Sequence, residues 1–488
     1  MSQYDDLFRQ VYELGELFGV GRRLPANPLT RTADQVRPNS IAIEGGAFGD
    51  EGKGKCVDYL CAQLLRRHSQ VVVYRWNGGS NAGHTVVVQG RSFALHQLPS
   101  GIFSRGATVI LGRGMVVHPG DLVTEMQHVA ALAGGTMPTT VLVDQLAVLS
   151  LDTHRALESV LKRWEAGGKG ATGRGISPAY ADVLLRHPVR MRDLTSADWE
   201  ERLSRHYELY AAMVRGLGGD LATTSIPLLT GGTQQVGTPA EFIARLGRER
   251  IFLQRHIQDV YPFLDSAWNR SDMPFVFEGA QAAGLDPRFG AYPDVTASDP
   301  TFSGILNSTE GLIQPEQIAV RAGTIKATYT SSVGTRRLPT LMEENLAHRI
   351  REDAHEYGAT TRRPRDIAHI DLPCLAFLAR VTGMEYLILT HLDISYPEIP
   401  IKVCTYYTDA SGSVVPYRPD QEYLSAVQAH YIELPSWDGM EVCGRREIGQ
   451  LPVATQQYIA FLSQALHLTP LLGTTGPERE ALVSWIPD

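Results

Sequence analysis

The stretch IAIEGGAFGDEGKGKCVD, Ile41 to Asp58, constrains the fold more than any other part of the chain. A short apolar run, Ile41 to Ile43, gives way to glycines at 45, 46, 49, 52 and 54, after which Val57, Tyr59, Leu60 and Leu64 recur at helical spacing. The pattern predicts strand, loop and helix. Gly49, Gly54 and Lys55 satisfy the G-x-x-x-x-G-K template, in which backbone N–H groups and the positive end of the helix hold a polyphosphate. Two features break that template. Cys56 stands where Ser or Thr would hold Mg²⁺, and a thiol is a poor ligand for a hard cation. Asp50 and Glu51 lie inside the loop, where a carboxylate repels phosphate unless it binds Mg²⁺ or acts as a base. The loop is therefore expected to do chemistry as well as to bind.

Strand and helix patterns alternate along the rest of the chain. Strands are predicted at Gln70 to Trp76, Phe93 to Leu98, Thr108 to Leu111, Thr140 to Val143, Phe275 to Glu278 and Tyr386 to Leu389. Helices are predicted at Pro119 to Leu132, Leu151 to Trp164, much of Asp198 to Ile257, Leu346 to Tyr357 and Val453 to Leu466. The second of these carries Leu157, Val160, Leu161 and Trp164 on a core-facing stripe. Such alternation predicts an α/β fold, a large central mainly parallel sheet flanked by helices with helical and loop insertions. Residues 1 to 38 are read as an extension, an amphipathic helix carrying Tyr4, Leu7, Val11, Leu14 and Leu17 followed by a linker, and residues 39 to 488 as the catalytic part.

Polar, glycine-rich segments follow several predicted strands. Asn77 to Thr85 carries His84 next to its last residue, and its glycines allow backbone to approach a ligand closely. Gly167 to Tyr180 reads as a flexible loop with Lys169, Thr172 and Arg174, an anion-binding composition. Gly279 to Pro300 is a long loop containing Gln281, Asp286 and Thr296. At Gly358 to Asp366, three arginines with Thr360 and Thr361, stiffened by Pro364, form a cationic hook suited to carboxylate or phosphate. Asp393 lies just beyond a strand, where a carboxylate can accept two hydrogen bonds from a guanine edge.

Composition narrows the function classes. A net charge of −8 argues against a general nucleic-acid binder, whose phosphate contacts require a basic surplus. The five cysteines contain no C-x-x-C pair and read as buried free thiols in a reducing compartment. No run reaches the roughly 18 apolar residues of a membrane span, and Asp5 and Asp6 stand where an export signal carries cations. The expected location is the cytoplasm.

GDEGKGK at 49–55, NAGHT at 81–85, LPSGI at 98–102, TGRGISPAY at 172–180, FEGAQ at 277–281, YPDVTAS at 292–298, ATTRRPR at 359–365 and TGP at 475–477 together resemble the signatures of the adenylosuccinate synthetase family, in its order. The resemblance covers residues 39 to 488. It implies a homodimeric ligase that joins L-aspartate to C6 of IMP, using GTP and Mg²⁺, through a 6-phosphoryl intermediate. It makes Asp50 the general base, His84 the acid on the phosphoryl oxygens and O6, and Lys53 a neutralising cation. Asp50 and the Gly83 carbonyl are the implied Mg²⁺ ligands. Asn81, Thr172, Gln281 and Thr296 are assigned to the purine nucleotide, with Arg186 reaching the 5′-phosphate of the neighbouring subunit. Thr360, Thr361 and Arg363 are assigned to aspartate. Gly49, Glu51, Gly52, Gly54, Lys55, Arg365, His391, Asp393, Thr475 and Gly476 are assigned to the nucleoside triphosphate.

The chain departs from the family pattern at His391, which replaces a Lys, at Arg362 and Asp366 in the arginine hook, and at Ala282 and Asp299 near the base pocket. These mark a divergent member. Either GTP or ATP is compatible with them as phosphoryl donor, and (d)GMP stands beside IMP as acceptor. Two further readings are a catalytically silent nucleotide-binding protein and a plain phosphate-loop NTPase. Retention of Asp50, Lys53 and His84 speaks against the first, and Cys56 against the second.

Overall fold

The computed structural model describes residues 36–88, 90–164, 172–332, 336–358 and 363–485. The N-terminal helix expected before residue 36 lies outside them. The predicted first strand is Arg37–Gly45 (β1), and it occupies the interior of a ten-stranded sheet. The other strands are Val71–Arg75 (β2), Ala107–Leu111 (β3), Thr140–Asp144 (β4), Ile257–Gln258 (β5), Phe275–Glu278 (β6), Ile318–Lys326 (β7), Tyr386–Thr390 (β8), Thr469–Thr474 (β9) and Leu482–Ser484 (β10). Their spatial order is β5-β4-β3-β2-β6-β1-β7-β8-β9-β10. Every adjacent pair is parallel except β9 with β10.

Period-two alternation sends the side chains of β1 to two cores. Ile41 and Ile43 pack on one face with Val57, Leu60 and Cys61 of the helix Lys53–Leu64. Ala42 packs on the other, with Phe275 and Phe277, beneath the helices Leu372–Thr382 and Val453–Leu466. Burial on both faces is what a parallel sheet requires, and each fully buried Val, Leu or Ile contributes about 1.5–3 kcal/mol. Among the described residues, no helix is long and apolar enough to cross a membrane.

Several sequence expectations are corrected. The run predicted as a strand from Phe93 to Leu98 pairs at Arg91–Leu95 with His84–Val88 in a separate hairpin. Trp164, expected on the core-facing stripe, is 69% exposed, because the α-helix stops at Leu161 and a 3₁₀ turn rotates the next residues outward. The segment read as a loop through Tyr180 starts a helix at Ile176. The helix expected to run to Tyr357 ends at Asp353, and the chain turns at His355, whose φ is 53°. Cys443 is exposed, although the other four cysteines are buried. Strand β7 was not foreseen. Arg321, Gly323, Thr324 and Lys326 interrupt its apolar pattern, yet it pairs with both β1 and β8.

Candidate active site

In an open parallel sheet, ligands bind beyond the carboxyl ends of the strands. The predicted functional segments converge there: residues 46–52 follow β1, 76–84 follow β2, 279–300 follow β6, 391–393 follow β8 and 475–481 follow β9. The first three of these segments, with Glu158, Thr172, Ile176, Ser177, Ser331, Ser332, Arg336 and Arg365, enclose a cavity of about 290 Å³.

The loop after β1 is folded around one of its own acids. Glu51 is 2% exposed; its Oε1 accepts from Gly49 N at 2.7 Å and Ala47 N at 3.2 Å, and its Oε2 from Lys53 Nζ at 3.1 Å. Glu51 therefore occupies N–H groups that an ordinary phosphate loop gives to its ligand, and it holds Lys53 in the cavity wall. Gly52, φ 76°, caps the helix in the left-handed region, where glycine is favoured. Asp50 has φ 55° without being glycine, and such a conformation persists where surrounding contacts fix it. The contact is Arg365, whose Nη2 donates to Asp50 Oδ2 while Nη1 donates to Glu356 Oε2 at 2.7 Å. Arg365 had been assigned to the nucleoside triphosphate; here it reaches the candidate base.

His84 lines the same cavity with Lys53, Asn81, Gly83 and Asp50. Its Nδ1 contacts Glu278 Oε1, and Glu278 also accepts from Ser100 N at 2.7 Å and Ser100 Oγ at 2.5 Å. Burial pulls the imidazole below its ordinary pKa against the pull of Glu278. Burial raises Glu278, yet His84, Arg75 and Ser100 together hold it below the usual carboxylate range. The two directions agree: an ionised Glu278 accepts from Nδ1–H of a neutral imidazole, leaving Nε2 with its lone pair.

The remaining wall suits a polar planar ligand. Gln281, φ 63°, accepts from Ser298 Oγ at 3.0 Å, and Ser298 Oγ lies 3.2 Å from Thr296 Oγ1. Asn81 Oδ1 accepts from Gly79 N at 3.2 Å. Thr172 and Thr296 also line the cavity, as does Arg336, whose guanidinium lies 4.6 Å from the centroid of the Phe48 ring.

Most residues assigned to the nucleoside triphosphate gather beside this cavity, across the start of the helix Lys53–Leu64. Lys55 Nζ donates to the carbonyls of Gly476 and, at 2.7 Å, Ala481. His391 N donates to Thr474 Oγ1 at 3.0 Å, and Thr475 Oγ1 donates to Arg445 O at 2.8 Å. Gly52 lies against Thr390, close enough that an added Cβ would sit 3.2 Å from its Cγ2. Burial pulls His391 down to about 4, so its ring is neutral at pH 7; Nδ1 is 3.4 Å from Tyr329 OH.

Two assigned residues, Arg363 and Arg186, fall elsewhere. Arg363 is exposed, its carbonyl accepting from Gly358 N at 2.8 Å, and it does not line the cavity. Thr360 and Thr361 lie outside the described residues. Arg186, φ 67° at a helix C-terminus, is exposed beside Leu184 and Leu185 and is not part of the cavity. Sequence reasoning missed Glu278, Lys326, Glu356 and Arg336. Glu278 carried a signal, a carboxylate at a strand's end followed at once by glycine. Lys326 and Glu356 meet across 30 residues with no local pattern to announce it.

The sequence profile of adenylosuccinate synthetase matches residues 42–483. The adenylosuccinate synthetase of Thermus thermophilus is 36% identical over 450 residues, covering 91% of this chain and 99% of that protein. Among solved structures, fully ligated adenylosuccinate synthetase from Plasmodium falciparum superposes with a TM-score of 0.79 at 26% identity, covering 92% of this chain and all of that one. A cyanophage S-2L succinoaminodeoxyadenylate synthetase bound to dGMP and dATP superposes with a TM-score of 0.53 at 19% identity, over 92% and 95% of the two chains, a likeness of fold.

Proposed function

Because the chain belongs to the adenylosuccinate synthetase family, and so to the ligases that form a carbon–nitrogen bond, we propose that it joins L-aspartate to C6 of IMP, driven by GTP. The observation that carries this reading is the meeting of Asp50, Lys53 and His84 in one cavity with Gln281 and Thr296.

An amine does not displace a carbonyl oxygen from a purine at neutral pH, so O6 must first become a leaving group. Asp50 takes the N1 proton, and O6 attacks the γ-phosphorus as the bond to the bridging oxygen breaks and the nucleoside diphosphate leaves. Lys53 and His84 lie where negative charge builds. Ionised Glu278 behind His84 favours the imidazolium as phosphoryl oxygens arrive. The amine of aspartate then attacks C6, the C6–O bond breaks, phosphate departs, and the amine gives up a proton.

Asp50 and the Gly83 carbonyl would hold Mg²⁺. Both are hard oxygen donors on the cavity wall, and one or two protein oxygens suit an ion that keeps waters and substrate phosphates. When bound, the ion neutralises charge on the transferring phosphate.

Asp393 supports GTP, since a carboxylate accepts from both N1–H and the 2-amino group of guanine, an edge that adenine does not present. A homodimer is supported by Arg186, which is exposed outside its own cavity, flanked by Leu184 and Leu185 at 84% and 60% exposure.

The test supplies the purified protein with aspartate, Mg²⁺, GTP or ATP, and each of IMP, dIMP, GMP and dGMP, with mass analysis of the products. A succinyl-purine from IMP is expected; no adduct from any of the four ends the ligase reading. Asp50→Asn should abolish turnover while IMP affinity, measured calorimetrically, stays within a few-fold, a loss of about 10²–10⁴ in rate being usual for a missing general base.

A further inference from the structure

A candidate general base at the tip of a glycine-rich loop, with a side chain 36% exposed, has rotamers to lose. Asp50 is fixed by Arg365, and Arg365 is fixed in turn by Glu356. Glu356 is 1% exposed and uses both carboxylate oxygens: Oε2 accepts from Arg365 Nη1 at 2.7 Å, and Oε1 accepts from Tyr329 OH at 2.6 Å and from Lys326 Nζ. Its backbone carbonyl accepts from Arg365 N at 3.0 Å. Arg365 is thus held at its backbone and, through Nη1, at its guanidinium by the same residue, while Nη2 is aimed at Asp50 Oδ2.

The other arms of the cluster end at substrate walls. Lys326 Nζ donates to Ser331 Oγ at 2.5 Å, and Ser331 lines the cavity. Tyr329 OH reaches His391 Nδ1 at 3.4 Å, on the side assigned to the nucleoside triphosphate. Two buried cations, Lys326 and Arg365, face one buried carboxylate, Glu356, and the partly exposed Asp50, so the charges balance only with Glu356 in place.

We propose that Glu356 is a positioning residue for this reaction: it orients Arg365 to clamp Oδ2 of Asp50 and so fixes the carboxylate that takes the purine proton. The inference rests on the ligase reading for its chemistry and on the Arg365 geometry for its structure, and the two are tested separately.

Glu356→Gln keeps the shape and removes the charge. The expected result is a kcat lower by about 100-fold, the loss typical of a reacting group displaced by about 1 Å, with KM for IMP changed less than about 3-fold. Because that variant leaves Lys326 buried without its carboxylate, the double variant Lys326→Met/Glu356→Gln is measured beside it; its thermal midpoint should return toward that of the parent while kcat stays low. Recovery of kcat in step with the midpoint overturns the proposal and leaves Glu356 a purely structural residue. A crystal structure of Glu356→Gln supplies the readout that needs no turnover. The Arg365–Asp50 contact should be lost, and its retention in unchanged geometry overturns the proposal even if the parent makes no succinyl-purine, the result that would instead end the ligase reading.

Discussion

His84 and Glu278 are joined through Nδ1 and Oε1 inside a pocket that leaves the carboxylate fully buried, although 194 residues separate them in the chain. Ser100 donates twice to the same carboxylate, and Arg75 pairs with Glu278 in strand register between β2 and β6. The arrangement sets the tautomer of His84 and stabilises its protonated form when an anion approaches. Glu278→Gln removes the charge with little change of shape. We expect kcat to fall by about 10²–10⁴, the scale seen when a carboxylate behind a catalytic histidine is neutralised, with KM for the monophosphate little changed. Steady-state kinetics with a circular-dichroism check of folding decides it; an unchanged kcat would remove Glu278 from the machinery.

Glu44 is a carboxylic acid in the wrong solvent. It is fully buried in β1, and burial raises its pKa well above 4.5 against the opposing pull of hydrogen bonding from Thr382 and Phe302. The native state therefore holds a proton that the unfolded chain releases above pH 4.5. Stability should decline as pH rises from there toward the native pKa, by at most about 1.4 kcal/mol per pH unit. Below pH 4.5 both states are protonated and the group contributes no slope. Urea melts between pH 5 and 8 should be flatter for Glu44→Gln than for the parent, and Glu44→Met should be the more stable protein at pH 7. Parallel pH profiles for parent and Glu44→Gln would refute the assignment.

Gly279 follows Glu278 where β6 ends, and a Cβ there would lie 2.6 Å from Cη2 of the buried Trp76 and 3.1 Å from the Ile43 carbonyl. The indole is packed among core residues and its Nε1 donates to Asp299 O at 3.1 Å, so it has little room to retreat. Gly279→Ala is expected to cost about 1–3 kcal/mol by overpacking. Activity should fall further than stability accounts for, since the shift acts on the strand end that carries Glu278. Denaturant unfolding and kinetics on one preparation separate the two effects.

What the sequence revealed follows from how far each contact reaches. The loop after β1, the helix behind it and His84 were legible because strand, glycine and helix signals fall within a few residues of one another. Asp50, Lys53, Asn81, Gly83, His84, Thr172, Gln281, Thr296 and Arg365 do share one cavity wall. The partner of Asp50 was not legible, because Arg365 lies 315 residues away and reads locally as part of a cationic hook for a bound anion, not for a carboxylate of the same chain. Strand β7 was hidden for a different reason. A central strand need not alternate, and its Lys326 and Arg321 are neutralised by Glu356 and Glu385. Burial of charge in pairs erases the periodicity by which a strand is recognised.

Lys55 supplies a pH test of the nucleoside triphosphate assignment. Burial pulls its ammonium down to about 8, against Cys56 and Asp393, while its Nζ donates to the carbonyls of Gly476 and Ala481. Below pH 8 the free enzyme carries a cation ready for a polyphosphate; above it the charged fraction falls, to about one-tenth at pH 9 and about one-hundredth at pH 10. On the proposed reading, kcat/KM for the donor nucleotide, which reports groups of the free enzyme, should fall above about pH 8 while kcat/KM for IMP changes less. Lys55→Met should be weak at every pH and lose this limb of the profile. If instead the parent profile is flat to pH 9, or the limb persists in Lys55→Met, Lys55 serves only to pin the 475–481 loop to the helix, and the triphosphate is held by other groups.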